Sequence, residues 1–438
     1  MEIKIEKSQA KGTLKAPPSK SMAHRYIICA GLSNSVSTIS NVDYSEDIKA
    51  TIDCIKALGV KVETKDSSVV IDGSESLIKK LRDNNETPPK EMSNKSDISQ
   101  IDFMCRESGS TMRFFMGIAM TLPYICNFYG SETLRNRPFG IYENILNQKN
   151  DSHGKETELS KEDECFFKRT DACISIKGPL KENDFEIAGN ISSQFVTGLL
   201  LALSLKKEGG SITLIPPVES RSYINMTIQA MREFGIAVDW ECENKLRVEA
   251  GQAYTAKDIE VEGDYSNAAF LDAFNYIGGD VKVEGLNAES LQGDKVYKEC
   301  FERLKNGKAA VDIADCPDLG PVLFAVAAAN HGGIFTSTAR LKIKESDRGS
   351  VMCEELSKLG VKTHMEENSI EIEGNSLKAP TETLCGHNDH RIVMSLSILL
   401  SLTGGTINEA EAVRKSYPGF FEDISSLGIS VSGGNFSL

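Results

Sequence analysis

The sequence predicts an α/β protein built from six similar units, and two recurring patterns are the reason. In the first pattern, a helix-period segment ends at a glycine and an alternating strand follows. The clearest copy is TIDCIKALGVKVET, in which Ile52, Ile55 and Leu58 lie on one helix face before Gly59. In the second, an apolar helix leads through a small-residue turn into a strand, as in HGGIFTST. Six copies of each pattern indicate six repeated α/β units.

The other copies of the first pattern predict where further helices end. Strong copies end at Gly235, Gly360 and Gly428, and weaker copies end at Gly307 and near Gln148. Strands are at least as numerous as helices and several are adjacent in sequence, so a simple alternation of strand and helix fits poorly. No G-x-G-x-x-G motif follows a strand, and the glycine doublets are therefore interpreted as turns.

Length and composition indicate a soluble chain of at least two domains. The 438 residues exceed one ordinary core, and 40% of them are hydrophobic. The net charge of −14 disfavours general binding to nucleic acid or anionic membranes. Eleven cysteines without a C-x-x-C pair favour a reducing compartment. The N-terminus alternates like a strand and has no apolar signal core, so a cytoplasmic location is expected.

Four longer segments have simple structural interpretations. The apolar runs FVTGLLLAL and VLFAVAAA are too short to cross a membrane and predict buried helices. The polar stretches at 82–100 and 147–171 lack apolar periodicity and predict surface loops.

Eight clusters of cationic and hydroxyl residues lie mostly at predicted helix starts. In the first, APPSKSMAHR, Ser21 and Arg25 sit four residues apart on one face if a helix begins near Ser19. Such a start is either an anion site or an ordinary N-cap with surface charge. The remaining clusters are CRESGSTMRFF, LRNRPFG, NISSQFVTGLL, ESRSYIN, LKIKESDRGS, GHNDHRIVMSL and VRKSYPGFF.

Taken together, the clusters predict a site for small, multiply charged anions. Each cluster alone is compatible with capping, but eight of them in an acidic chain need anions between the like charges. Phosphates and carboxylates fit best, because arginine binds both with two hydrogen bonds. Lys344 and Arg348, at i and i+4, are predicted to share a helix face with Glu345 beside them. Cationic clusters fall in both predicted domains, so binding of a shared anion is expected to favour a closed form.

Two carboxylates are candidates for acid–base chemistry at such a site. Asp318 lies at a proline turn before a buried helix, and Glu345 lies between two cations. A helix cap and a salt bridge are the alternative interpretations, while position in an anion pocket favours a catalytic role. His387 and His390 lack a further His/Cys grouping, so no metal is expected and a structural or substrate-orienting role is favoured.

At these residues the chain resembles the 5-enolpyruvylshikimate-3-phosphate synthase family (3-phosphoshikimate 1-carboxyvinyltransferases), which belongs to the enolpyruvyl transferases. The similarity covers nearly the whole chain and rests on ordered motifs: SKSMAHR, GSTMR, RNRP, SSQF, KESDR, NDHR and the lysine before SYPGFF. It implies two domains, each of three βαβαββ units packed as an inverse α/β barrel. Residues 1–18 and 263–438 would form the C-terminal-type domain, and residues 19–262 the N-terminal-type domain.

The resemblance implies a reaction and a role for each motif residue. Phosphoenolpyruvate would donate its enolpyruvyl group to the 5-hydroxyl of shikimate 3-phosphate, through a tetrahedral intermediate that loses phosphate, in the shikimate pathway to chorismate and the aromatic amino acids. The implied catalytic residues are Asp318, which would take the hydroxyl proton, and Glu345 with Lys20, which would handle the proton at the methylene carbon. The implied shikimate 3-phosphate residues are Lys20, Ser21, Arg25, Ser192, Ser193, Gln194, Ser220, Asp318 and Lys344. The implied phosphoenolpyruvate residues are Lys20, Gly109, Arg137, Gln194, Arg348, Arg391 and Lys415.

The resemblance also implies no cofactor and no metal, and a monomer is expected. Three residues of this chain differ from the best-known bacterial form of the family. Glu107, His24 and Arg340 stand where that form has asparagine. Two alternatives are weighed: an enolpyruvyl transferase acting on UDP-N-acetylglucosamine, and a non-catalytic anion-binding protein of the same fold. The first uses a loop cysteine that SETLRNRP lacks, and the second has no need of Asp318 and Glu345.

Overall fold

The computed structural model describes residues 1–83, 100–147 and 165–434. The predicted loops at 82–100 and 147–171 lie largely outside these residues, but the second prediction is wrong at Phe166–Arg169, which form a strand. The chain divides into a first unit, Met1–Lys20 with Glu262–Leu438, and a second unit, Ser21–Val261. The boundaries expected from sequence, after residues 18 and 262, stand one or two residues from these divisions.

The strands are numbered in chain order. They are β1 (Ile3–Ile5), β2 (Lys11–Lys15), β3 (Val36–Ser40), β4 (Lys61–Lys65), β5 (Ser68–Asp72), β6 (Gln100–Met104), β7 (Ile125–Tyr129), β8 (Phe166–Arg169), β9 (Ile174–Lys177), β10 (Asp184–Ala188), β11 (Gly210–Ile215), β12 (Val238–Cys242), β13 (Lys245–Val248), β14 (Ile259–Glu260), β15 (Asp280–Glu284), β16 (Ala309–Asp312), β17 (Gly332–Thr336), β18 (Thr363–Met365), β19 (Ser369–Glu373), β20 (Leu384–Cys385), β21 (Gly405–Asn408) and β22 (Val431–Ser432).

The helices follow the same convention. They are α1 (Lys20–Gly31), α2 (Glu46–Ala57), α3 (Leu77–Asp83), α4 (Gly109–Ala119), α5 (Glu132–Arg135), α6 (Gly140–Asn147), α7 (Ser193–Leu205), α8 (Arg221–Glu233), α9 (Tyr265–Asp272), α10 (Tyr297–Asn306), α11 (Gly320–Ala329), α12 (Arg348–Lys358), α13 (His390–Thr403) and α14 (Phe420–Ser426). Short 3₁₀ turns precede several of them, including Gly293–Val296, Pro317–Leu319 and Ala339–Ile343.

The described residues form six sheets, three in each unit, in agreement with the six predicted repeats. Those of the second unit have the strand orders β14-β3-β5-β4, β6-β7-β9-β8 and β10-β11-β13-β12. Those of the first unit are β20-β21-β1-β22, β16-β17-β19-β18 and the pair β15-β2. Each four-stranded sheet joins a parallel pair to antiparallel strands, as β10–β11 and β11–β13 show. In the parallel pairs β6–β7, β10–β11, β16–β17 and β20–β21, one helix makes the crossover: α4, α7, α11 and α13 in turn.

The predicted glycine stops are confirmed at four helices. Gly59, Gly235, Gly360 and Gly428 follow α2, α8, α12 and α14 with φ between 77° and 91°. Only glycine adopts this left-handed geometry without steric cost, so the chain can turn from helix to strand there. Gly307 after α10 has φ 168°, which is extended backbone, so α10 ends without the left-handed glycine geometry of the other four helices.

Each unit has its own core, and apolar helices lie inside it. In α7 and α11, which contain the two apolar runs, nearly every residue is buried, as predicted. One hydrophobic cluster fills the second unit and another fills the first. Among the described residues, no helix combines the length and apolar character that crossing a membrane requires.

Candidate active site

In the second unit, two buried helices run in the same direction and bring their N-termini together. A Cβ at Gly117 of α4 would overlap the carbonyl of Gly198 of α7, so the backbones touch. One turn earlier on the same faces, Arg113 Nη1 donates to Gln194 Oε1 at 2.6 Å. The Gln194 amide donates to Ser110 Oγ at 2.8 Å. The glycine contact therefore fixes the distance between two polar helix starts.

Arg137 joins this group from the turn before α6. A Cβ at Gly109 would lie 2.6 Å from Arg137 Nη1 and 3.0 Å from Arg113 Nη1, so both guanidinium groups lie over the first residue of α4. Arg137, which precedes Pro138 in RNRP, is buried. Two arginines over a helix N-terminus concentrate positive charge at one place. Gly109, Arg137 and Gln194, predicted from three separate motifs, thus lie together.

Arg25 belongs to a second group in this unit. Its guanidinium donates to Thr227 Oγ1 at 2.8 Å, to the Ser21 carbonyl at 2.7 Å and to the Tyr223 carbonyl at 3.1 Å. Burial lowers the pKa of Arg25 to about 10, which still leaves it charged at neutral pH. Ser220, with φ 53°, precedes α8 and is buried. The predicted helix start near Ser19 is confirmed, since α1 begins at Lys20.

The two serines at the start of α7 differ in their surroundings. The Ser192 hydroxyl caps the helix by accepting from the Gln194 N–H at 3.4 Å. This is the capping interpretation that the sequence left open. Ser193 is the first residue of the helix and is buried.

In the first unit, Asp318 forms ion pairs with three cationic side chains. Its Oδ1 accepts from Arg348 Nη1 at 2.9 Å and lies 3.0 Å from Lys344 Nζ. Its Oδ2 accepts from Arg391 Nη2 at 3.3 Å, and its backbone carbonyl accepts from Arg391 Nη1 at 3.0 Å. Asp318 lies in the 3₁₀ turn before α11, as the proline turn predicted. The N-cap position of α11 is Leu319, and the carboxylate of Asp318 binds these cations.

Arg348 connects this carboxylate to two others. Its Nε donates to Asp389 at 2.8 Å, and its Nη2 donates to Glu345 Oε2 at 2.6 Å. The prediction that Lys344 and Arg348 share a helix face is wrong. Lys344 follows a 3₁₀ turn, and Arg348 opens α12 after Asp347 has capped it. The two side chains still meet, because both bind Asp318 Oδ1.

Lys20 and Lys415 lie at the margins of this network. The Lys20 N–H donates to Asp264 Oδ2 at 3.0 Å, and the Lys20 charge acts on buried His390. Lys415 Nζ donates to the Asn388 carbonyl at 2.5 Å, on the turn that leads to α13. Both lysines are therefore close to the residues around Arg391.

The charges of the network shift several pKa values. Burial alone would raise the pKa of Asp318, but Arg391, Lys344 and Arg348 outweigh it and hold that pKa well below its usual value. Burial lowers the pKa of Lys344, and the negative charge of Asp318 partly offsets that shift by raising it. Burial and the charges of Lys20, Arg391 and Arg348 hold the pKa of His390 well below its usual value. Asp318 is thus a carboxylate and His390 a neutral imidazole.

The turn before Asp389 is fixed by a different carboxylate. Glu355 of α12 is fully buried and accepts from the Cys385 N–H at 2.9 Å. Its Oε1 lies 2.9 Å from His387 Nε2 and 2.8 Å from Lys358 Nζ. Glu354, Glu355 and His387 are close enough to share a metal, but the Lys358 ammonium already contacts both glutamates. The contact of His387 with buried Glu355 is compatible with the structural one of the two roles that the sequence left open.

The three departures from the best-known bacterial form lie in different places. His24 is buried in the helical core, where Nδ1 hydrogen-bonds Thr51 Oγ1 at 2.7 Å. Arg340 is buried in the 3₁₀ turn before Lys344, and its charge acts on that lysine. Glu107 is half-buried ahead of α4.

Two members of these groups were absent from the predicted site. Arg113 binds Gln194, and Asp389 binds Arg348. Both stand inside motifs that the sequence analysis used, GSTMR and NDHR. Their partners lie 81 and 41 residues away along the chain, so only the fold reveals the contacts.

Comparisons with known proteins agree with this description. The model of the EPSP synthase (3-phosphoshikimate 1-carboxyvinyltransferase) family matches residues 5–424. Proteins named 3-phosphoshikimate 1-carboxyvinyltransferase match from Clostridium kluyveri, 36% identical over 97% of both chains, and Clostridioides difficile, 35% identical over 97% of both.

Solved structures show the same fold. An EPSP synthase from Acinetobacter baumannii matches with TM-score 0.73 at 23% identity, over 99% of this chain and 100% of that one. The enolpyruvyl transferase NikO from Streptomyces tendae matches with TM-score 0.69 at 10% identity, over 98% of both. The predicted fold class, two α/β domains of repeated βαβαββ units, is confirmed by these neighbours and by the six sheets.

Proposed function

The chain belongs to the EPSP synthase family, and from this premise we propose how its residues carry out the family's reaction. The protein is a 3-phosphoshikimate 1-carboxyvinyltransferase of the shikimate pathway. It transfers the enolpyruvyl group of phosphoenolpyruvate to shikimate 3-phosphate and releases phosphate. The curated relatives reported above share that name, and neither alternative weighed from the sequence is better supported.

The observation that carries the proposed site is the half-buried carboxylate of Asp318 among three cations. Lys344, Arg348 and Arg391 are the groups that a phosphate or carboxylate of a substrate would bind. A substrate anion would compete with Asp318 for them. As each cation turns to the substrate, the attraction that lowers the pKa of Asp318 weakens, while burial continues to raise it. Substrate binding would thus make Asp318 a better base for the 5-hydroxyl proton.

The remaining catalytic and substrate-binding roles are assigned from the sequence motifs and from the contacts described above. Glu345, bound to Arg348, and Lys20, beside His390, would handle the proton at the methylene carbon. Shikimate 3-phosphate would be held by Lys20, Ser21, Arg25, Ser192, Ser193, Gln194, Ser220, Asp318 and Lys344. Phosphoenolpyruvate would be held by Lys20, Gly109, Arg137, Gln194, Arg348, Arg391 and Lys415. The tetrahedral intermediate would then lose phosphate without help from a metal or an organic cofactor.

The proposal extends to the state of the protein in the cell. We propose a cytoplasmic monomer that does not bind nucleic acid. The support is the net charge of −14, which repels polyanions, together with the cysteine pattern of a reducing compartment.

The variant Asp318→Asn tests the role of the base. It keeps the size of the side chain but cannot accept a proton, so kcat is expected to fall by about 10²–10⁴. Binding of shikimate 3-phosphate, measured by calorimetry, is expected to persist, because the three cations remain. Asp280→Asn, an exposed carboxylate on β15, is the matched control and should change neither quantity. A near-normal kcat in Asp318→Asn would remove Asp318 from the mechanism.

A further inference from the structure

A buried glutamine outside the proposed site contacts both segments at which the chain leaves and re-enters its first unit. The chain leaves that unit after Lys20 and re-enters it at Glu262. Gln292, immediately before the 3₁₀ turn Gly293–Val296, is only 4% exposed. Neither the sequence motifs nor the proposed roles account for it. A buried amide is costly unless its polar atoms find partners, so the partners of Gln292 indicate what it does.

The two segments lie side by side as a short antiparallel pair. Residues 17–19 face residues 262–264, with a bridge at the centre of the pair. The N–H groups of Ser19 and Asp264 donate to carbonyls of the facing segment at 2.8 and 2.7 Å. A pair of two short strands is at best marginally stable by itself. Contacts from outside the pair therefore decide how firmly it is held.

The amide of Gln292 supplies such contacts to both segments. Its Oε1 accepts from the Ser19 hydroxyl at 3.3 Å and from the Tyr265 N–H at 3.0 Å. Its Nε2 donates to Glu262 Oε1 and to the Gly263 carbonyl, both at 2.8 Å. An N–H can only donate and a carbonyl can only accept, so these partners fix which way the amide points. Both of its protons and both lone pairs of its oxygen are used.

The loop that carries Gln292 is fixed to the same segment. Ser290 Oγ donates to Glu262 Oε1 at 2.6 Å and accepts from the Gln292 N–H at 3.1 Å. Asn287 Nδ2 donates to Glu262 Oε2 at 3.1 Å. The Glu262 carboxylate thus accepts three hydrogen bonds from one loop. The amide of Gln292 is therefore presented from a fixed backbone.

These contacts end directly at a residue of the proposed site. Helix α1 begins at Lys20, the residue after Ser19. The Lys20 N–H donates to Asp264 Oδ2 at 3.0 Å, and Asp264 Oδ1 caps α9 by accepting from the Asn267 N–H at 2.9 Å. The backbone of Lys20 is thus held by the residue before it and by Asp264. Gln292 contacts Ser19 on one side and the segment that leads into Asp264 on the other.

We propose that Gln292 is a positioning residue for Lys20. Its amide ties Ser19 to the segment that contains Asp264, and so fixes the backbone from which the Lys20 side chain extends. The consequence for substrates rests on the proposed function, in which Lys20 contacts both of them. The positioning itself rests on the hydrogen bonds alone. Efficient sites hold a binding group within about 0.5 Å of its working position by supporting contacts of this kind.

The first test exchanges donor and acceptor between two positions. Gln292→Glu keeps the acceptor for the Tyr265 N–H but places a second carboxylate against Glu262. We expect the dissociation constant of shikimate 3-phosphate, measured by calorimetry, to rise about fivefold and kcat/KM to fall about tenfold, because small misplacements in a site are costly. Adding Glu262→Gln restores a donor–acceptor pair and should return both quantities to within about threefold of the wild type. Glu289→Gln, an exposed change in the same loop, is the control and should alter neither.

The second test asks whether Gln292 acts through Lys20. Gln292→Glu and Gln292→Ala, which adds no charge, are each made in the wild type and in Lys20→Ala. A residue that only stabilises the fold would weaken binding of shikimate 3-phosphate equally in both backgrounds. Positioning predicts that either change raises the dissociation constant by less than about twofold once the Lys20 side chain is absent. Equal losses in both backgrounds, or no recovery in the exchanged pair, would overturn the proposal.

Crystal structures of the same proteins test the positioning without turnover. In Gln292→Glu and Gln292→Ala the backbone at Ser19 and Lys20 should move by more than about 0.5 Å or show disorder relative to the wild type. An unmoved backbone in both variants would overturn the positioning role. If instead the wild type fails to bind or turn over the two substrates while the backbone moves in the variants, the proposed function fails and the positioning of Lys20 stands.

Discussion

At Arg348, one side chain contacts three carboxylates, and the kind of residue decides which contacts are possible. Its Nε, Nη1 and Nη2 donate to Asp389, Asp318 and Glu345 from fixed directions. A lysine offers a single nitrogen and could not keep these three partners in place. The sequence could predict the residue types here, because anion binding needs arginine and lysine. It could not predict that Asp318 would pair with all three cations.

His390 gives a prediction about acid stability. It is 2% exposed. Burial and the positive charges of Lys20, Arg391 and Arg348 lower its pKa, and the negative charge of Glu345 raises it by less. Its pKa in the folded protein is depressed, so the folded state keeps it neutral while the unfolded chain takes a proton below pH of about 6.5. Its contribution to stability is therefore present above that pH and is lost as the pH falls.

Urea unfolding at pH 8 and pH 5.5 measures this contribution. On acidification the wild type should lose about 1 kcal/mol more of its free energy of unfolding than His390→Gln does. His364→Gln is the matched control, because His364 is 72% exposed and only weakly paired with Glu366. Equal losses in the wild type and His390→Gln would show that the buried imidazole is not held neutral.

Among the secondary-structure elements, the contact of α4 with α7 sets the spacing of two predicted site residues. A Cβ at Gly198 would overlap Tyr142 Oη, which donates to the Arg113 carbonyl at 2.8 Å. Gly198→Ala should therefore force the helices apart and separate Arg113 from Gln194. We expect a loss of about 1–3 kcal/mol in the free energy of unfolding and a higher KM for phosphoenolpyruvate.

Gly140→Ala is the control for this change. Gly140 begins α6, and a Cβ added there would have no atom of the other described residues within 4 Å apart from its own helix and chain neighbours, so the same added methyl group should be tolerated. A wild-type KM and stability in Gly198→Ala would mean that the helix contact is looser than described. The sequence marks this glycine only as a small residue in an apolar run, and the close approach is visible only in the fold.

The buried Glu355 ties α12 to the turn before Asp389. Glu355→Gln removes the charge that His387 and Lys358 face, so we expect a loss of about 3 kcal/mol or more in the free energy of unfolding of the first unit. Glu354→Gln, on the same helix but 57% exposed and 3.4 Å from Lys358, should cost less than about 1 kcal/mol. Chemical denaturation measures both, and similar small losses would show that Glu355 is not a structural anchor.

Across the whole chain, the repeats were predictable because each carries local signals. The glycine after α2 and the glycine after α12 stop their helices by backbone geometry, which a sequence displays directly. The positions of Lys344 and Arg348 were not predicted correctly, because a 3₁₀ turn ends before the helix begins, and short-range spacing does not reveal that. Long-range partners such as Asp318 and Arg391, 73 residues apart, carry no local signal at all.

The central claim is that this chain joins phosphoenolpyruvate to shikimate 3-phosphate, and phosphate release tests it most directly. The assay supplies each substrate alone and both together, with EDTA present throughout. The account predicts phosphate release only when both are present, with one enol ether product formed per phosphate and no loss of rate from EDTA. Release with UDP-N-acetylglucosamine in place of shikimate 3-phosphate, or no release with the correct pair, would contradict it.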